Sequence, residues 1–118
     1  MINEEAQKHI LSAIEKEKDA AISNYGHFHS DHEFWAVLKE EVEEINDEIA
    51  KTNTNWLTSN FWDNIKKNKS LDVKNLQLIR GNAINAACEA VQVVAVIDKY
   101  IVNKEREKIN VGGKTKES

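Results

Sequence analysis

Ala86-Ala87-Cys88-Glu89-Ala90-Val91-Gln92-Val93-Val94-Ala95-Val96-Ile97-Asp98-Lys99-Tyr100-Ile101 is the stretch on which the fold turns. On a helical wheel Ile84, Cys88, Val91, Val94 and Ala95 cover one side, and Ala86, Val93, Ile97 and Tyr100 cover much of the rest. A helix apolar nearly all round is buried on more than one side. In a chain this short, that predicts an oligomer core beside the intramolecular one, in a homodimer or homotetramer. Asn85, Glu89 and Gln92 interrupt the apolar surface at spacings of four and three residues, which places them on one narrow polar seam. Lys99 lies further along it.

The rest of the chain agrees with a helical reading. It has 118 residues, no proline and four glycines, so nothing punctuates it as hairpins require. The size suits one domain. The sequence therefore predicts an all-α fold, a bundle of three main helices plus a short extra one, over residues 1–109, with a polar, disordered tail at 110–118. The first helix spans Asn3 to Asn24, with Ala6, Ile10, Ala13, Ile14 and Ala21 on its stripe and Gly26 as a left-handed cap. Ser30 and Glu33 form a capping box opening the second helix, which carries Phe34, Leu38, Val42, Ile45 and Ile49 and ends near Thr52. Trp56, Leu57, Phe61, Trp62 and Ile65 predict a short aromatic helix, followed by the basic turn Lys66-Lys67-Asn68-Lys69. The third main helix begins after Ser70, near Asp72, with Gly81-Asn82 as a break or bend.

Glu40-Glu41-Val42-Glu43-Glu44 is the other informative stretch. A carboxylate brought to a core without a partner costs free energy. With Leu38 as the wheel's origin, Glu41 falls inside the apolar arc, Glu48 beside it and Glu44 at its edge; Glu40 lies further out, and Glu43 and Asp47 face water. Two readings of Glu89 stand at this level. It is a ligand in a divalent-cation site assembled with the Glu41/Glu44 edge, or half of a structural ion pair with Lys99 or a lysine of the first helix. Oxygen donors of this kind suit Mg²⁺, and also Mn²⁺. The net charge of −4 speaks against general nucleic-acid binding. A single cysteine allows no intrachain disulfide and points to a cytoplasmic setting. The apolar run is too short and too often interrupted to predict a membrane span, and the N-terminal sequence has no signal-peptide pattern.

Taken together, Tyr25-Gly26, His29-Ser30, His32-Glu33 and Ala36 to Ile45, followed by Glu89-Ala90-Val91-Gln92-Val93-Val94-Ala95, resemble the MazG-like all-α nucleoside triphosphate pyrophosphohydrolases, closest to the short single-domain versions of phages and Gram-positive bacteria. The two blocks span roughly Glu15 to Ile101. The resemblance implies Mg²⁺ held by acids in an E-E-x-x-E pattern on one helix and E-x-x-D on the next, and hydrolysis of a nucleoside triphosphate to the monophosphate and pyrophosphate. It carries the first pattern onto Glu40, Glu41 and Glu44 and the second onto Glu89 and Gln92. Gln92 departs from it, standing where an aspartate is expected, and the Asn53–Ser70 connection is longer than usual. The implied roles are metal ligation by Glu41, Glu44, Glu89 and Gln92, and water positioning by Glu40. Lys39, Lys99 or Lys104 would neutralise phosphate. The family's oligomers accord with the apolar third helix. A non-catalytic helical oligomer of the same fold is the alternative that Gln92 keeps open.

Three further features carry bland readings beside sharper ones. His27, His29 and His32 could suggest zinc, but no second ligand segment accompanies them, so they read as loop and cap. Trp35, Trp56 and Trp62 at helical spacing read as core, with Trp56 the best candidate to stack on a nucleotide base. Cys88 reads as a small buried hydrophobe.

Overall fold

The computed structural model describes the backbone of residues 2–58 and 60–117, and their side chains except at 57, 58 and 110–117. Four α-helices follow one another: α1 (Glu4–Tyr25), α2 (Asp31–Thr58), α3 (Phe61–Lys66) and α4 (Val73–Glu117). No strand occurs among the described residues, so the fold is all-α.

The helix starts follow local chemistry. The Asn3 carboxamide oxygen accepts the Ala6 N–H at 2.8 Å, and Glu4 and Glu5 occupy the positive end of α1. Gly26 closes α1 with φ 72° and ψ −169°, while its amide donates to the Ile22 carbonyl at 2.8 Å. This pair of angles belongs to a region open essentially to glycine alone, rather than to the left-handed helical region expected. Ser30 Oγ accepts the Glu33 N–H at 3.1 Å, the forward half of the capping box. The Glu33 carboxylate turns to His29 Nδ1 at 3.0 Å. Just ahead of α4, Asp72 accepts the Lys74 N–H at 2.9 Å.

The helix ends differ more from expectation. The second helix runs past Thr52 to Thr58, which puts Trp56 on α2 and shortens the extra helix to Phe61–Lys66. No glycine or proline stands between Thr52 and Thr58, and the Thr52 hydroxyl is satisfied inside the helix by the Glu48 carbonyl at 3.0 Å. Asn60, at φ 57° and ψ 30°, makes the turn into α3. Gly81-Asn82 does not break α4. One glycine costs a helix about 1 kcal/mol, too little to end it when both flanks are helical. The backbone continues as helix from Asn110 to Glu117, where the sequence predicted a polar tail.

The chain separates into two compact units, Met1–Glu40 with Val91–Ser118, and Glu41–Ala90. In the first, Ile14, Phe28 and Ala95 are buried, and Phe34 packs edge-on against Phe28 (centroids 5.5 Å apart) and stacks on Tyr100 at 4.0 Å. In the second, Phe61 is buried and meets Trp56 edge-on at 5.4 Å. The expectation that the tryptophans and Cys88 are core is corrected. Trp35, Trp56 and Trp62 are 62%, 58% and 69% exposed, and Cys88 is exposed. Trp56 nevertheless meets Phe61, and the Lys66 amine stands 5.7 Å from the centre of the Trp62 ring. No helix among the described residues is long and apolar enough to cross a membrane.

Candidate metal centre

Helical geometry builds this site. Glu41 and Glu44 are three residues apart on α2, hence on one face, and Glu89 comes from α4 within the same unit. One carboxylate oxygen from each lies within 4.8 Å of the other two, and this is the one group of three or more acidic, histidine or cysteine side chains so arranged among the described residues. Glu41 and Glu89 are half-buried, and Glu44 is the most open of the three.

Crowding three carboxylates raises the cost of ionising all of them. The hydrogen bond shared with Glu89 is the main reason the Glu44 carboxyl is held above the ordinary glutamate range, with loss of water acting the same way. One Glu89 oxygen, Oε2, is sealed from solvent and finds no hydrogen-bond donor among the described residues. Such an oxygen is costly alone and suits a cation. A Mg²⁺ about 2.1 Å from each ligand spaces opposite oxygens about 4.2 Å apart. Neighbouring oxygens around such an octahedral ion stand about 3.0 Å apart, so the three carboxylates would draw together on binding it. Bidentate acids and backbone carbonyls are absent from this set, so nothing in it distinguishes Mg²⁺ from Mn²⁺.

The other predicted site residues are placed as follows. Glu40 is exposed and precedes Glu41 in α2. Gln92 donates its amide N–H to Glu17 Oε2 at 2.9 Å, within the first unit. Lys39 is exposed on α2. Lys99 is buried in the first unit with its amine 4.2 Å from the centre of the Phe28 ring, so its cation is committed there rather than to a Glu89 pair. Lys104 binds Asp31 at 3.0 Å. Trp56 lines a cavity of about 210 Å³ with Asn60, Phe61, Trp62 and Asp63. His29 is engaged with Glu33, and the three histidines assemble no metal-binding group.

Two acids matter more than the sequence suggested. Glu48, one turn beyond Glu44, gives Oε1 to Lys51 at 3.2 Å and keeps Oε2 sealed and without a hydrogen-bond donor among the described residues. Its place beside Glu41 on the wheel was the available signal. Glu17 holds Gln92, and its signal was also legible: Ile10, Ile14, Glu17 and Ala21 recur at spacings of four, three and four, putting an acid on the apolar stripe of α1.

No protein-family model, curated protein or solved structure matches the chain.

Proposed function

We propose that this protein is a Mg²⁺-dependent nucleoside triphosphate pyrophosphohydrolase of the MazG-like kind, cytoplasmic and active as a homodimer or homotetramer. The convergence of Glu41, Glu44 and Glu89 carries this reading, because it joins on two helices the acids that the sequence resemblance pairs. Bound there, the cation supplies charge neutralisation for the polyphosphate and lowers the barrier to attack at phosphorus. Glu41, Glu44 and Glu89 would hold it. Glu40 orients water for in-line attack between the α and β phosphates. Lys39 is the proposed phosphate-neutralising cation, and Trp56 the base-stacking residue.

Self-association is supported by the apolar stripe Val94, Ile97 and Ile101 of α4, 39%, 37% and 47% exposed in the single chain. One observation favours a second reading. Gln92 brings no charge to the position of the expected aspartate and is tied to Glu17. This suits a helical oligomer of the same fold that has lost turnover.

Pyrophosphate release from a panel of nucleoside triphosphates, with and without Mg²⁺, tests both. The enzyme reading expects Mg²⁺-dependent release with one product pyrophosphate per monophosphate, and a loss of roughly a hundredfold or more in Glu41→Gln, since changes even beside a metal ligand cost about 10–100-fold. A rise in melting temperature with Mg²⁺ but no release from any nucleotide supports the non-catalytic reading. No release and no thermal response to Mg²⁺ or Mn²⁺ sinks the metal centre itself.

A further inference from the structure

The end of α2 and the short α3 meet at the cavity of about 210 Å³ within the second unit, lined by Trp56, Asn60, Phe61, Trp62 and Asp63. Pockets that enclose a drug-sized ligand run to roughly 300–1,000 Å³. This one suits a single flat ring system, with a sugar and phosphates left outside. Phe61 is buried and meets Trp56 edge-on, with 78° between the ring planes, so the two rings form a corner rather than a sandwich. Trp56 and Trp62 are largely exposed and offer indole surface to a flat ligand.

Stacking accepts any base, because every base has a π face. Selection among bases therefore falls to the two polar side chains of the lining. Asn60 stands at the start of α3, where a carboxamide oxygen normally accepts a helix N–H, yet its side chain makes no such bond. Its backbone, at φ 57° and ψ 30°, is left-handed rather than the extended form of a capping residue. The carboxamide is thereby left to the cavity. Asp63 follows three residues later. The Lys66 amine stands 3.5 Å from Asp63 Oδ1 and 5.7 Å from the centre of the Trp62 ring, against both walls of the same lining. A carboxylate has about four acceptor positions, so one such contact leaves most of them open.

We propose that this cavity selects guanine, the N1–H and N2–H groups of the base donating to the Asp63 carboxylate and the Asn60 amide donating to O6. The proposal rests on the reading of Trp56 as the base-stacking residue and adds the identity of the base. An ionised carboxylate only accepts, and it takes two parallel N–H donors from a planar group at once. Guanine alone among the common bases carries two such donors side by side. Adenine and cytosine set an amino group beside a bare ring nitrogen, and uracil and thymine set one N–H between two carbonyls. Either arrangement turns an acceptor toward Asp63. Asn60 supplies the donor that O6 requires.

The test is titration of the full chain with the monophosphates of guanosine, inosine, adenosine, cytidine and uridine, in buffer containing a chelator so that no divalent cation contributes. Binding is read by calorimetry, and by indole fluorescence in Trp35→Phe, which confines the signal to Trp56 and Trp62. Guanosine monophosphate should bind saturably and most tightly. Inosine monophosphate, which lacks only the N2 amino group, should bind about tenfold more weakly, the loss of one charge-assisted contact. Asp63→Asn, at an exposed position, should weaken guanosine binding by about tenfold or more and leave adenosine binding unchanged. A merely structural role for Asp63 would not give that selectivity. Trp56→Leu should weaken every base alike; should it fail to fold, the inosine comparison and Asp63→Asn decide. Equal affinity for guanosine and inosine overturns the proposal, as does unchanged guanosine affinity in Asp63→Asn or absence of saturable binding by every monophosphate. Pyrophosphate release judges the enzyme reading separately. Release without preference for guanine overturns the base assignment alone, whereas guanosine binding with no release from any triphosphate supports the assignment and overturns turnover alone.

Discussion

Asp31 opens α2 and receives two donors from α4: the Lys104 amine at 3.0 Å and the Tyr100 hydroxyl at 3.0 Å. The Lys104 hydrogen bond is the larger reason its carboxyl is held below the ordinary aspartate range. The reciprocal effects raise the pKa of both Lys104 and Tyr100, although burial is the larger cause for Tyr100. All three groups keep contact with water, so this is a tether of modest strength. The sign of its pH dependence follows from the direction of the Asp31 shift. A carboxyl whose folded pKa lies below its unfolded value near 3.8 contributes stability that is fully present above that value. The contribution is lost as pH falls through the lower, folded pKa. Asp31→Asn should therefore lower the melting temperature at neutral pH. The gap from the parent protein should close in thermal scans between pH 4 and pH 2. Tyr100→Phe, which keeps the lysine contact, should lower it less at neutral pH. A gap that stays constant across this range would mean that the Asp31 charge plays no part.

At the scale of elements, the helix starts and the end of α1 at Gly26 were legible in the sequence, and the end of α2 was not. Asn3 and Ser30 announce α1 and α2 because a cap is a contact within three residues, made by the side chain that sequence displays. The end of α2 had no such marker, since Asn53 to Thr58 neither stops a helix nor demands one. The same locality made the Glu41/Glu44 face readable, and an acid in an apolar helix made Glu89 conspicuous. The exposure of Trp35, Trp62 and Cys88 was not readable, because it depends on which surface lies opposite, and no local rule states that. Gly26 and Gly81 separate these cases experimentally. Gly26 holds a conformation closed to other residues, so Gly26→Ala should destabilise the fold by about 1–2 kcal/mol, although open space surrounds the position. Gly81 is helical, and a methyl group there also meets nothing within 4 Å. Gly81→Ala should stabilise by up to about 1 kcal/mol. Chemical denaturation of the two variants beside the parent checks both signs. A destabilised Gly81→Ala would show that the bend expected at Gly81-Asn82 is needed after all.

The molecule as a whole buries little. Among the described residues Ile14, Phe28, Phe61 and Ala95 are the buried hydrophobic side chains, and no large side chain is fully sealed. Isoleucine and valine are normally among the most buried residue types. Here Ile84, Ile97, Ile101 and Val94 remain more than a third exposed on a helix that the sequence marks as apolar nearly all round. Burying such a side chain stabilises by about 1.5–3 kcal/mol, so covering three of them offsets a sizeable share of the cost of association. Val94, Ile97 and Ile101 recur at spacings of three and four residues and form one stripe, the pattern of a helix that packs against a partner. A second copy of the chain is the proposed partner, and a charge in the middle of the stripe is the direct test. Ile97→Glu should convert the homo-oligomer to monomer in sedimentation analysis at micromolar concentration. Its melting temperature should fall below that of the parent and lose its dependence on protein concentration, as linkage between folding and assembly requires. Ile10→Glu, a control on α1, should leave the assembly intact if the α4 stripe is the interface. A parent protein that sediments as a monomer with a concentration-independent melting temperature would refute the assembly, and with it the reading of α4 as an oligomer core.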